Sequence, residues 1–239
     1  MIRLNCWSGP RNVSTAVMYS FRQRSDTTVV DEPLYAHYLR VTGRDHPGRD
    51  DVLAAQDSDG EAQVTNVILG DYSTPVVFFK QMAHHLVDVD RAFLGRCRNV
   101  LLVRHPREML SSLSVQLPDA TLADTGLDVQ VVLLDSILAA GDTPIVVDSR
   151  ALLEDPAGVL AGLCGRIGLD FDHAMLSWPE GPKPEDGPWA PHWYSNVHAT
   201  SGFLPYSAPR RAVPGRLHSV LNEAMPLYDR LAQFAIGVE

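Results

Sequence analysis

Residues 1–24 read MIRLNCWSGPRNVSTAVMYSFRQR, and this stretch decides the fold. Residues 2–6 alternate as a short strand, and SGPRNVS is a polar turn. Residues 14–24 have helical spacing that directs Ala16, Val17, Tyr19, Ser20 and Phe21 at a sheet. A strand that passes through a tight polar turn into a helix makes an anion site. The first helical amides lack internal acceptors, and the helix dipole favours negative charge. Here Arg11 adds a fixed cation, while Ser14 and Thr15 add hydroxyl donors. The expectation is a phosphate-binding turn between Trp7 and Thr15, set against the competing reading of an ordinary strand–helix connection.

Working outward, TTVVDEP is a strand that ends at Asp31, Glu32 and Pro33, and LYAHYLRV (34–41) is a short helix. Residues 42–60, rich in Gly, Asp and Pro, read as an exposed excursion with room for one helical turn, and a helix follows over 61–69. PVVFFKQ (75–81) and NVLLVRH (99–105) are continuous apolar strands of the kind covered on both faces. Helices are expected over 107–117, 126–140 and 156–168, the last with Pro156 in its first turn, and TPIVVDS (143–149) is another buried strand. This alternation predicts a single α/β domain over 1–239, three-layer, with a mostly parallel central sheet flanked by helices. In such sheets the ligand lies beyond the carboxyl ends of the strands. Those ends carry Ser8 to Thr15, Glu32, Lys80 and Arg104. Residues 178–212 lack regular patterning yet hold Trp178, Trp189, Trp193, Tyr194, Phe203 and Tyr206, which reads as a folded-over lid or binding loop. A last helix over 214–235 should dock on the core.

The 239 residues are 45% hydrophobic and 21% charged, with a formal net charge of −9. That balance argues against general nucleic-acid or anionic-membrane partners, but leaves a local arginine pocket for a small anion open. None of Cys6, Cys97 and Cys164 has CxxC spacing, so no zinc knuckle or redox dithiol is indicated, and buried free thiols in a reducing compartment are expected. The first residues lack an apolar secretory core and no apolar run approaches about 18 residues. Neither a signal peptide nor a membrane span is expected, and the expected location is cytoplasmic.

The motifs resemble those of the sulfotransferases that use 3′-phosphoadenosine 5′-phosphosulfate (PAPS), closer to carbohydrate-type or bacterial members. Their 5′-phosphosulfate loop is similar to PKSGTT or PRSGST, and here PRNVST stands in its place. Their 3′-phosphate motif is an Arg at a strand end followed by Pro and Ser, supplied here in RHPREMLSS by Arg104, Pro106 and Ser112. Glu32-Pro33 resembles an acceptor-side pair, and EDPAGVLAGLCGRIGL the helix region after the fifth strand, so the resemblance covers residues 3–176.

The resemblance implies a P-loop NTPase-like fold, PAPS as co-substrate, PAP as product, a small-molecule acceptor and no metal. It places Ser8, Gly9, Pro10, Arg11, Asn12, Val13, Ser14 and Thr15 around the 5′-phosphosulfate, and Arg104 and Ser112 on the 3′-phosphate. Arg11 is expected to stabilise charge developing on the bridging oxygen. Glu32 is the implied base, with His84 and His85 as rivals of suitable intrinsic pKa. Lys80 is expected to touch sulfate or acceptor, against the plainer reading of a snorkelling surface lysine. Asp31 beside Glu32 can push one carboxyl upward, but strand alternation points the two side chains to opposite sides.

Two departures from the family stand out. Val13 occupies the place of the loop glycine, where positive φ would strain a β-branched residue. The C-terminal Arg-Lys-Gly element is not recognisable, and Arg210 and Arg211 are the only substitutes at hand. Two alternatives stay open. A P-loop kinase is disfavoured by the missing Gly-Lys pair. A non-catalytic nucleotide-binding protein on the same fold is favoured by the two departures. The sequence carries no sign of oligomeric state.

Overall fold

The computed structural model describes residues 1–208 and 211–237. Five strands, β1 (Ile2–Ser8), β2 (Thr27–Asp31), β3 (Val76–Met82), β4 (Arg98–Val103) and β5 (Ile145–Asp148), form a parallel sheet in the order β2-β3-β1-β4-β5. The helices are α1 (Ser14–Arg22), α2 (Tyr35–Thr42), α3 (Arg49–Ala55), α4 (Gly60–Gln63), α5 (Pro106–Leu113), α6 (Leu122–Thr125), α7 (Leu127–Ala139), α8 (Ser149–Glu154), α9 (Pro156–Ile167), α10 (Ala190–Trp193), α11 (Ser195–His198) and α12 (His218–Ala232). The result is the helix-flanked parallel α/β sheet that the alternation predicts.

The reasons are local. Every residue of β3 is buried, as its unbroken apolar run requires. Its register with β2 sets Val29 beside Phe78 and Asp31 beside Lys80. Asp148 and Asp155 cap α8 and α9 by accepting from free first-turn amides, and Pro156 occupies the first turn of α9.

Several boundaries differ from the sequence reading. The helix expected over 107–117 is α5, which stops at Leu113. Residues Gln116 and Leu117 continue in hydrogen-bonded turns, and Pro118 then forbids further helix. The helix over 61–69 divides into α4 and a π-helical turn, Val64–Ile68. The excursion over 42–60 contains α3, and α8 has no counterpart in the sequence reading because six residues give little periodicity. Residues 178–212 contain the short helices α10 and α11, and the last helix begins at His218 after a 3-10 turn, Gly215–Leu217.

The chain divides into two compact units. The first comprises residues 1–6, 14–99 and 172–203. In its core Trp189 and Tyr194 pack with Tyr35, Tyr38, Leu39 and Val52, so these aromatics of the late segment are interior residues. The second comprises residues 7–13, 100–171 and the chain from 204 on. There Leu217 and Leu221 bury against Leu110, Leu113 and Val213. Cys6 and Cys164 are buried and Cys97 half-buried, and none of the three is in a disulfide.

Candidate functional site

The loop after β1 leaves the central strand of the sheet, where the strand order reverses, the usual place for a ligand in this architecture. Ser8 is buried and its hydroxyl donates to the Gly9 carbonyl at 2.9 Å. Gly9 has no alternative: a Cβ there would lie 2.5 Å from the Thr125 carbonyl oxygen and 2.9 Å from Met109 Cε. Pro10 is half-buried and leads to Arg11, whose φ of 54° is left-handed. The positive φ of the loop therefore falls on Arg11 and not on Val13, which removes the strain that a β-branched residue would carry. Asn12 ties the loop to the sheet by donating from Nδ2 to the Leu102 carbonyl at 3.0 Å, while its Oδ1 accepts from the Val13 amide at 2.8 Å. Ser14 opens α1 and is buried, and Thr15 is half-buried beside it.

Arg104 follows β4 and reaches across 93 residues to donate to the backbone carbonyl of Arg11. Arg11 Nε in turn donates to Ser112 Oγ, 3.1 Å away on α5. His105 caps that helix by accepting from the Arg107 amide, and Pro106 fills its first turn. Glu108 sits 3.4 Å from Arg104 Nε and accepts 2.7 Å from the Tyr206 hydroxyl. Arg11 has no acidic partner among the described residues. Burial, and then the charge of Arg104, pull its pKa down. Two guanidiniums and a serine hydroxyl thus converge with a single carboxylate between them, an arrangement that favours an added anion. Of the substitutes for the missing C-terminal element, Arg210 lies outside the described residues and Arg211 is exposed.

A second cluster lies in the first unit, at the ends of β2 and β3. Lys80 is 1% exposed, so it is not a snorkelling surface lysine. Its Nζ donates to Asp31 Oδ1 at 2.9 Å, to Glu32 Oε1 at 2.5 Å and to the Tyr194 hydroxyl, which occupies all three ammonium hydrogens. The two carboxylates reach one lysine because Glu32 has φ 40°. That left-handed residue before Pro33 breaks the alternation expected of Asp31 and Glu32, and brings them to the same side. Asp31 also accepts from the Tyr194 hydroxyl at 2.8 Å and from the Gly187 amide at 3.3 Å. Burial drives the Glu32 pKa upward, with Asp31 adding to the rise and Lys80 opposing it. For Lys80 burial acts downward, but Asp31 and Glu32 outweigh it, and the pKa stands above its ordinary value.

His85 Nδ1 is buried without a hydrogen-bond partner, 3.8 Å from Glu32 Oε2. Its ring is stacked on Tyr35 and Tyr38, with both centroids 4.6 Å away. Burial first, then the neighbouring His84, holds its pKa well below the ordinary histidine range. His84 is half-buried and packs edge-on to Tyr38 and His85. Tyr194 and Asp31 escaped the sequence reading as members of this cluster. The signal for Asp31 was there, since opposite charges end two strands that pair in parallel, but Tyr194 lies 163 residues from Asp31 and no local pattern announces it.

Residues 2–235 match the family described as "Sulfotransferase domain". The chain belongs to the sulfotransferase family. In Arabidopsis thaliana, "Branched-chain-amino-acid aminotransferase-like protein 1" is 38% identical over 229 residues, covering 95% of this chain and 41% of that relative. The chain thus spans about two fifths of the length of that curated relative. Among solved structures, the sulfotransferase domain of the Synechococcus PCC 7002 olefin synthase is similar with a TM-score of 0.58 at 15% identity, covering 93% of this chain and 94% of that one. The sulfotransferase from Alicyclobacillus acidocaldarius gives 0.52 at 11% identity, with 98% and 95% covered. At these identities the likeness speaks for the fold, which is that of the sulfotransferases. Among the described residues no helix is long and apolar enough to cross a membrane, and no cluster of His, Cys, Asp or Glu has the arrangement of a metal site.

Proposed function

We propose that this sulfotransferase moves a sulfuryl group from PAPS to a hydroxyl, or an amine, of a small acceptor in the cytoplasm. The observation that carries the reading is the convergence of Arg11, Arg104 and Ser112 from sites far apart in sequence. In this assignment the amides from Ser8 to Thr15 and the Arg11 guanidinium hold the 5′-phosphosulfate. Arg104 and Ser112 hold the 3′-phosphate.

Glu32 takes the proton from the acceptor as the acceptor oxygen forms its bond to sulfur. The bond from sulfur to the bridging oxygen breaks, and PAP leaves with the electron pair. Arg11 stabilises that developing negative charge electrostatically, because a guanidinium does not readily give up its proton. Glu32 is preferred to His85 because burial raises the basicity of its carboxylate, whereas His85 is held neutral and only weakly basic. Lys80, whose donors are all engaged, holds Glu32 in place and does not grip the sulfate. The left-handed Arg11 removes one of the two arguments for a non-catalytic protein.

The test is calorimetric titration of wild type and Arg104→Ala with PAP, AMP and ATP. PAP should bind best, and the substitution should remove most of its advantage over AMP. One lost charge-assisted contact at about 1.5–3 kcal/mol corresponds to roughly a 10- to 150-fold weaker PAP complex. Equal affinities for PAP and AMP in the wild type would end the assignment of a 3′-phosphate site.

A further inference from the structure

The Lys80 cluster is not symmetric. Asp31 receives Lys80, the Tyr194 hydroxyl and the Gly187 amide, whereas Glu32 receives Lys80 on Oε1 and leaves Oε2 facing His85 Nδ1 across 3.8 Å. The Tyr194 hydroxyl is held from behind by Trp189 Nε1, which donates to it at 2.8 Å. Its own proton then points to Asp31, and its lone pair takes one hydrogen of Lys80. When two carboxylates share one cation, the one that accepts more hydrogen bonds keeps the charge and the other exchanges the proton.

We propose that Tyr194 is a positioning residue, which fixes the Lys80 charge against Asp31 and so leaves Glu32 as the carboxylate that exchanges a proton with the acceptor. This rests on Glu32 serving as the base. The groups that face Glu32 are Asp31 at the end of β2 just before it, Lys80 from β3, His85 from the turn after β3, Tyr35 from α2, and Tyr194. Cys6 of β1 faces Lys80, but burial pushes its thiol up to about 12, so it stays neutral. The Tyr194 hydroxyl also favours the Glu32 anion directly, but its one proton points to Asp31 at 2.8 Å, so its loss acts chiefly by taking a donor from Asp31 and returning a Lys80 hydrogen to the carboxylates. Both changes make Glu32 easier to ionise. Asp31→Asn leaves Lys80 with Glu32 as its one anion and acts in the same direction more strongly.

The experiment is a carboxyl titration by NMR on protein carrying 13C-labelled glutamate, with the Glu32 signal assigned by its loss in Glu32→Gln. Tyr194→Phe should lower the Glu32 midpoint by about half a pH unit or more, and Asp31→Asn should lower it further. The acid limb of kcat/KM should move by the same amount in each variant, with PAP affinity unchanged. Glu32 midpoints equal to wild type in both variants overturn the proposal, as does a moved carboxyl with an unmoved acid limb. If Tyr194→Phe does not fold, Trp189→Phe, which removes the donor behind the hydroxyl together with part of a buried ring, takes its place with the same expected direction. Full turnover in Glu32→Gln would sink the base assignment, while the carboxyl titration would still decide what Tyr194 does.

Discussion

Replacing Lys80 by Met tests the buried cluster most severely. The side chains of Lys80 and Asp31 are 1% exposed and that of Glu32 is 8% exposed, so the variant strands two carboxylates without their cation and almost without water. Breaking a buried pair in this way typically costs about 3–5 kcal/mol. A domain is stable by only about 5–15 kcal/mol, so a large share of the total is at risk. At about 2–4 °C per kcal/mol for a chain of this size, the melting temperature should fall by roughly 6–20 °C.

Urea unfolding followed by fluorescence at pH 7.5 and pH 5 reads the effect. Without Lys80 the folded state holds a proton on the carboxylates more tightly than the unfolded state does. Stability of the variant should therefore rise, relative to wild type, as the pH falls. The double variant with Glu32→Gln should recover about 1–3 kcal/mol of the loss, since one stranded charge has gone. A loss below about 1 kcal/mol, or a deficit equal at both pH values, would refute the picture of a buried cation compensated by two acids.

Three further outcomes are expected. Arg11→Ala should cut turnover by about 10²- to 10³-fold with a modest loss of PAP affinity, read by steady-state kinetics and calorimetry, and unchanged turnover removes Arg11 from the chemistry. Glu32→Gln should slow transfer while PAP binding stays intact, and a fully active variant would shift the base to His84 or His85. His85, neutral in the folded protein, must gain a proton on unfolding once the pH drops below about 6.5. Its contribution to stability is thus present above that pH and lost as the pH falls toward its lowered folded pKa. The urea midpoint of wild type should decline from pH 7.5 to 5.5 more than that of His85→Phe, and parallel curves would contradict a buried neutral imidazole.

The sheet was legible because β3 and β4 are apolar runs whose burial follows from composition alone, and because α9 carries its start signal in Asp155 and Pro156. The turn between β1 and α1 was legible for the same kind of reason, a polar stretch between a strand and a helix with a cation inside it. Alternation failed at Glu32, where one left-handed residue reverses the direction that period two assigns to its side chain. It also failed to mark Lys80 as buried, since a lysine at a strand end looks the same whether it meets water or two acids. Tyr194 was visible as one aromatic among several, but its role depends on a contact that only the folded chain creates.

The close approach at Gly9 has a practical consequence for anyone who would reshape the loop after β1. The backbone there rests against the Thr125 carbonyl, at the corner between α6 and α7, with no room for even one carbon. The outline of the loop is thereby inherited from the corner it rests on. Widening it begins with the geometry at Thr125 and Met109, and enlarging Gly9 itself would only lever the end of β1 out of place.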